Sequence, residues 1–183
     1  MLALLYDVHG NLPALEAVLA DADAAGGDRF LLGGDYALFG AWPVECVTRL
    51  SELDAEWIRG NGERWTAEPS QAPDNELVQG AVASCRDLLG EQTAGELGVV
   101  FGHTHLPFVR RTDAGIELVN PGSVGMPFDG DPRASYALVR DDGGIEHRRV
   151  AYDHRTSAAA VRDRFAAWGE TVARRIERAT YDV

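Results

Sequence analysis

Short apolar runs, polar glycine-containing loops and amphipathic stretches alternate along the first half of the chain. Leu2–Tyr6 is a continuous apolar run of the kind that forms a buried strand, and the polar loop Asp7-Val8-His9-Gly10-Asn11 follows it. Pro13 suits the first turn of a helix that continues to about Ala25 and stops at Gly26-Gly27. Arg29–Leu32 repeats the strand pattern and closes on Gly33-Gly34-Asp35. A second helix is predicted over Pro43–Leu53, with Val44, Val47 and Leu50 on one face. Glu56–Arg59 is a third short strand, closed by Gly60-Asn61-Gly62-Glu63. Trp65–Asn75, polar and interrupted by Pro69 and Pro73, reads as a loop, and a helix starts at Asn75 or Glu76 and runs to about Leu89. A further apolar strand, Leu97–Phe101, ends in Gly102-His103-Thr104-His105.

Beyond this point the texture changes to hairpins. Phe108–Arg111, Ile116–Val119, Ser135–Arg140 and Ile145–Tyr152 are separated by turn-rich segments such as Asn120-Pro121-Gly122-Ser123, a spacing that favours antiparallel pairing. Thr156 to about Thr180 reads as one long, arginine-rich amphipathic helix. The whole predicts a layered α/β (α+β) arrangement in a single domain over residues 1–183. Ligands of such folds gather beyond the carboxyl ends of the strands, and the polar loops lie there.

Composition narrows the function classes. A hydrophobic share of 45% is that of a globular chain, and no apolar run reaches the roughly 20 residues needed to cross a bilayer. The opening MLALLYD has no basic region and no small-residue cleavage site, so the expected location is cytoplasmic. Cys46 and Cys85 read as buried, reduced thiols. The formal charge is −12 and all 17 basic residues are arginine, which disfavours nonspecific binding to nucleic acid or anionic membrane. A small phosphorylated substrate remains compatible, because bound cations reverse the local field inside a cleft.

The loops carry the candidate chemistry. Asp7 and His9 are two positions apart at a strand end, and His103 and His105 repeat that spacing, so each pair is expected to point to one side. A carboxylate with an imidazole suits a divalent cation of the manganese, iron or zinc kind. Asp35 and Asn61 add oxygens at matching ends of two further strands. Taken singly, Asp35 is as well explained as a helix cap, Asn61 as a turn residue and each histidine as a packed side chain. Their coincidence at one predicted edge favours a shared site. No Gly-x-Gly-x-x-Gly or Gly-x-x-x-x-Gly-Lys-Ser/Thr loop follows a strand, which disfavours a nucleotide-binding α/β protein.

Asp7-x-His9, Gly34-Asp35, Gly60-Asn61 and Gly102-His103-x-His105, in this order, resemble the calcineurin-like metallophosphoesterase superfamily. Asn120-Pro121-Gly122-Ser123-Val124-Gly125 resembles its smaller bacterial and archaeal phosphodiesterase branch. The resemblance spans about Leu2 to Tyr152 and implies a two-sheet sandwich flanked by helices, four layers in all. It also implies a metal-dependent phosphoesterase, with a diester preference, using two divalent ions: manganese first, with iron, zinc, nickel or magnesium as other candidates. Asp7, His9 and His105 would hold one ion, Asn61 and His103 the other, with Asp35 bridging. Asn11 and Arg64 would be the phosphate contacts, Arg64 through its bidentate guanidinium, although Arg64 reads equally as a plain surface arginine.

Two positions depart from that pattern. Many members carry a histidine after the motif asparagine, where this chain has Gly62. A His-Gly pair expected between Asn61 and His103 is missing, since no histidine occurs between His9 and His103. The fold therefore reads as shortened near residues 90 to 97. Three readings follow: a shortened enzyme with one strong and one weak metal site, a noncatalytic metal- or phosphate-binding regulatory domain, or an internal segment lost from this sequence. His147 and His154 read as surface residues, and no side chain is assigned a catalytic role.

Overall fold

The computed structural model describes residues 1–89, 103–111 and 117–183. The predicted strand over 97–101 and the shortened region near 90–97 lie outside the described residues. A five-stranded sheet has the order β3-β2-β1-β6-β7. Its strands are β1 (Leu2–Leu5), β2 (Arg29–Leu32), β3 (Ala55–Trp57), β6 (Ala134–Val139) and β7 (Ile145–Val150). A second, two-stranded antiparallel sheet joins β4 (Phe108–Arg111) to β5 (Glu117–Asn120).

Helices α1 (Leu12–Ala24), α2 (Pro43–Ser51), α3 (Asn61–Ala67), α4 (Glu76–Leu89), α5 (His154–Arg164) and α6 (Gly169–Arg178) flank these sheets. The alternation along β1 explains the layering. Ala3 and Leu5 pack with Ala14, Leu15, Val18 and Leu50 of the helices α1 and α2. Leu4 and Tyr6 pack on the opposite side with Val119 of β5. The strand is therefore apolar throughout because each of its faces is covered. A separate core joins α4, α5 and α6 to Leu38 and Met126, residues of the loops that surround the site.

β1 pairs with both β2 and β6, parallel to the first and antiparallel to the second, and β2 runs parallel to β3. The carboxyl ends of β1, β2 and β3 consequently open on one edge. Beyond the strands the first two loops stay paired through Asp7 N–H to Gly34 O (3.2 Å), His9 N–H to Asp35 O (2.8 Å) and Gly10 N–H to Tyr36 O (2.8 Å).

Two predicted elements differ. The segment from Trp65 is not loop throughout: α3 continues to Ala67, and a short 3-10 turn spans Pro69–Gln71. The final carbonyls of α3 are satisfied from outside, because Arg86 of α4 donates to Thr66 O (2.6 Å) and Ala67 O (3.2 Å). The long terminal helix is broken into α5 and α6. Phe165 and Trp168 turn inward at the break and stack at 4.2 Å, and a Cβ on Gly169 would sit 2.5 Å from Val161 O. The two helices thus cross at backbone distance, which one continuous helix could not do. No helix among the described residues is long and apolar enough to cross a membrane.

Candidate metal centre

Asp7, His9, Asp35 and His105 are all buried at the edge where the strands open. The donor atoms of Asp7, His9 and His105 lie within 4.8 Å of one another. The route by which they converge is not the strand pleat expected from their spacing. β1 ends at Leu5, and Asp7 (φ 52°), His9 (φ 49°), Asp35 (φ 55°), His103 (φ 72°) and His105 (φ 55°) all adopt left-handed backbone. Only two other non-glycine residues among those described do so, Phe39 and Ala179. Such a conformation costs roughly 1–3 kcal/mol per residue and persists only where the surroundings over-determine it. Concentration of that strain at five predicted ligands makes this edge the candidate site.

The surroundings can be named. Gly34 has φ 94°, and a Cβ there would sit 2.4 Å from Gly60 N, so only glycine lets the β2 and β3 loops approach this closely. Glu63 clasps the same two loops, accepting from Asp35 N (2.8 Å), Tyr36 N (2.8 Å) and Gly60 N (2.9 Å). The sequence reading missed Glu63. Its signal was available, because a glutamate three residues after the helix cap is the capping-box position. The Asn120–Gly125 segment supports the β1 loop in turn. Ser123 Oγ donates to Asp7 O (2.8 Å), Gly125 N–H donates to the same carbonyl (3.0 Å), and Asn120 Nδ2 donates to Thr104 Oγ1 (2.9 Å) between the paired histidines.

The histidine tautomers follow from their partners. His9 Nδ1 lies 2.9 Å from Leu38 O and His105 Nδ1 lies 2.6 Å from Met126 O. A carbonyl only accepts, so each Nδ1 carries the proton and each Nε2 presents a lone pair. Those two Nε2 atoms face each other at 3.2 Å, with Asp7 Oδ1 3.8 Å from the His105 nitrogen. Protonation does not relieve the contact easily, since burial pushes His9 down to about 4 and burial with His9 pushes His105 down to about 3. Burial also raises the Asp7 carboxyl well above its usual range, reinforced by the negative charge of Asp35. Two converging lone pairs beside a carboxylate form a donor set that fits a divalent cation. The backbone carbonyls behind them orient the rings as outer-shell partners do.

A second group of donors adjoins the first. The Asn61 side-chain oxygen faces His103 Nδ1 and Asp35 Oδ2; turned over, the amide would instead donate to these atoms at 2.8 and 3.2 Å. Gly62 N–H donates to Asp35 Oδ1 (2.5 Å). Asn61 therefore either donates to both neighbours with its amide turned over or keeps its oxygen directed at a cation shared with them. A Cβ on Gly62 would lie 2.6 Å from Asp35 Oδ1, so glycine at this position is what allows the carboxylate to sit on the helix start.

Five of the six predicted ligands, His9, Asp35, Asn61, His103 and His105, line one open cleft of about 750 Å³, and Asp7 lies buried beneath it. The two predicted phosphate contacts do not line it. Asn11 is the cap of α1, and its amide donates to Gly125 O (2.8 Å) and Tyr152 OH (3.1 Å) while accepting from Ser157 Oγ (2.8 Å). That network uses up its hydrogen-bonding capacity within the fold. Arg64 is exposed on α3, away from the cleft wall. His147 and His154 are half-buried and also lie off the cleft; His147 Nε2 is bonded to Asn120 O (2.8 Å).

Known proteins resemble this chain over most of its length. The Escherichia coli phosphodiesterase YfcE is 31% identical over 166 residues, covering 78% of this chain and 89% of that one. An uncharacterised protein of Methanocaldococcus jannaschii, MJ0912, is 26% identical over 231 residues, covering 92% and 95%. That alignment is longer than the 183-residue chain, so this relative carries stretches that the present chain lacks. The crystal structure of a metallophosphoesterase from Sphaerobacter thermophilus superimposes with a TM-score of 0.82 at 25% identity, covering 98% and 99%. The family model for the calcineurin-like phosphoesterase superfamily domain matches residues 1–143. The chain therefore belongs to the calcineurin-like phosphoesterase superfamily.

Proposed function

We propose that the protein is a metal-dependent phosphodiesterase that hydrolyses a small phosphorylated substrate. The observation that carries this reading is the pair of unprotonated His9 and His105 Nε2 atoms facing each other beside Asp7. Asp7, His9 and His105 would hold one divalent ion, and Asp35, Asn61 and His103 a second, with manganese the first choice for this mixed set. Bound ions would supply an activated water and offset the charge that grows on the phosphoryl oxygens.

The chain's own contribution is positional. Leu38 O and Met126 O keep the two lone pairs aimed inward, while Gly62 N–H and the Glu63 clasp fix Asp35. Water adds its oxygen to phosphorus and gives up a proton to solvent, the bond to the leaving oxygen breaks, and that oxygen takes up a proton from solvent, since Gly62 offers no side chain. Esters with acidic leaving groups should therefore react fastest. The similarity to YfcE, named a phosphodiesterase, supports the diester preference. A cytoplasmic location belongs to the same reading.

Hydrolysis of bis(p-nitrophenyl) phosphate with added manganese, abolished by chelation and by Asp35→Asn, is the expected outcome. Folded, metal-loaded protein that turns over no diester with any divalent ion would overturn it. A second reading, a noncatalytic metal-binding regulatory domain, is favoured by one observation: the donor atoms of Asp7, His9 and His105 converge within 4.8 Å of one another in a group that does not include Asp35 or His103. Metal content separates the two, with two ions per chain expected of the enzyme and one of the alternative.

A further inference from the structure

Residues beyond the 1–143 span of the family match also wall the cleft: Arg175, Thr180, Tyr181 and Asp182. Ala179 ends α6 in left-handed backbone (φ 50°, ψ 45°) and is fully buried, and its carbonyl accepts from Gly130 N–H at 2.9 Å. This bond pins the turn to the loop that follows Phe128 and sends the next three residues along the cleft. The guanidinium carbon of Arg175 lies 4.2 Å from the centre of the Tyr181 ring, and Arg175 Nε donates to Tyr181 O at 3.1 Å. Tyr181 meets Phe128 edge-on at 5.6 Å, and Phe128 stacks on His105 at 4.4 Å and 8°. An unbroken run of ring contacts thus joins a predicted metal ligand to a guanidinium farther along the same cleft.

Arg175 is the only lysine or arginine among the described residues that line the cleft. It forms no ion pair among the described residues, Asp182 included. By contrast, Arg174 next to it bonds to Glu170 (2.7 Å), and Arg162 bonds to Glu170 and Glu177. Of its five N–H donors, only the one on Nε has a partner among the described residues. The stack on Tyr181 and the Nε bond fix the plane of the fork, so little side-chain entropy remains to be lost when an anion binds. On a chain of formal charge −12, such a group is a local reversal of sign.

We propose that Arg175, held in place by Tyr181, binds a second anionic group of the substrate, carboxylate or phosphate, remote from the reacting phosphorus. The preferred substrates are then phosphodiesters whose non-reacting part carries its own negative charge. This rests on the phosphodiesterase reading and names its substrate class. Tyr181 is the positioning residue, acting through its ring face and its carbonyl.

The test uses matched chromogenic esters and the full-length, manganese-loaded protein. Thymidine 5′-(p-nitrophenyl phosphate) is compared with the same ester bearing a 3′-phosphate, and p-nitrophenyl propyl phosphate with its ω-carboxylate analogue. Wild-type kcat/KM should favour at least one charged member by roughly tenfold or more, mainly through KM, and which pair responds distinguishes phosphate from carboxylate. Arg175→Gln should bring that ratio close to one while leaving turnover of bis(p-nitrophenyl) phosphate within about twofold. Arg175→Lys should keep part of the preference, Tyr181→Phe should keep it and Tyr181→Ala should lose much of it. Calorimetric binding of thymidine 3′,5′-bisphosphate and thymidine 5′-phosphate gives a readout independent of turnover. No discrimination by the wild type in rate or binding, or an equal loss on both members in Arg175→Gln, overturns the proposal. Failure of the phosphodiesterase reading looks different: no diester is cleaved, yet the bisphosphate still binds Arg175-dependently.

Discussion

Replacing Glu63 by glutamine keeps the shape of the side chain but turns one acceptor oxygen into a donor. In the native structure Glu63 Oε2 takes the N–H groups of Asp35 and Gly60, and Oε1 takes that of Tyr36. Glutamine can serve the first two with its remaining oxygen, but its NH2 then faces the Tyr36 N–H. One buried donor left unpaired costs about 1–3 kcal/mol, and the other two bonds lose their charge assistance. Part of this is offset, because burial and the negative charge of Asp35 work against the ionised Glu63 and push its carboxyl up to about 7. The net loss should be about 2–3 kcal/mol, or about 5–10 °C in Tm for a chain of this length. Thermal unfolding of chelator-treated protein measures this directly. Metal analysis after dialysis supplies the second readout, because the clasp holds the loops of Asp35 and Asn61 but not the Asp7, His9 and His105 triad. Affinity for one ion should fall roughly tenfold or more while the other is retained. A variant that melts within about 1 °C of wild type and loads both ions normally would refute the reasoning.

Manganese at about a hundredfold over its Kd should stabilise chelator-treated protein by about 2.7 kcal/mol, and His9→Ala or His105→Ala should remove that gain; melting with and without chelator checks it. Gly34→Ala adds a Cβ 2.4 Å from Gly60 N to an unfavourable φ and should cost about 2–4 kcal/mol in urea unfolding. Gly143→Ala shares the positive φ (81°) but meets nothing, so it should cost only about 1 kcal/mol, and equal costs would show that the contact is immaterial. Hydrogen bonds from Arg148, aided by Tyr136, hold Asp21 below the usual carboxylate range. A depressed carboxyl stabilises the fold above its unfolded pKa of about 3.9, and that contribution is lost as pH falls through the folded value. Asp21→Asn should therefore cost about 1 kcal/mol at pH 7, a figure limited by partial exposure, and the gap in urea midpoints should narrow as the pH falls below the unfolded value.

Much of the architecture follows from local pattern. A strand buried on both faces must be apolar at every position, so Leu2–Tyr6 stands out from the helix that follows it, where apolar positions repeat every third or fourth residue. Parallel strands joined through helices open at one edge, so Asp7, Asp35 and Asn61 could be assigned to a common place before their distances were known. The turn-rich texture after His105 announced the antiparallel β4-β5 and β6-β7 pairs for the same reason.

The rest depends on partners far away in sequence. Asn11 has the composition of a phosphate contact, and only Gly125, Tyr152 and Ser157 show that its donors and acceptors are taken. Helix α3 forms where polar composition suggested loop, because Glu63 caps its start and Arg86 its end. The terminal helix breaks because Phe165 and Trp168 find a stacked place in the core, which no local periodicity records. Sequence by itself determined which side chains could serve as ligands and at which edge they would lie, since both follow from residue type and short-range alternation. Tertiary structure decided how they converge, through left-handed backbone at five of them, and brought Arg175 and Tyr181 to the same cleft. Those outcomes are set by contacts between segments distant in the chain, and such contacts leave no periodic trace in the sequence.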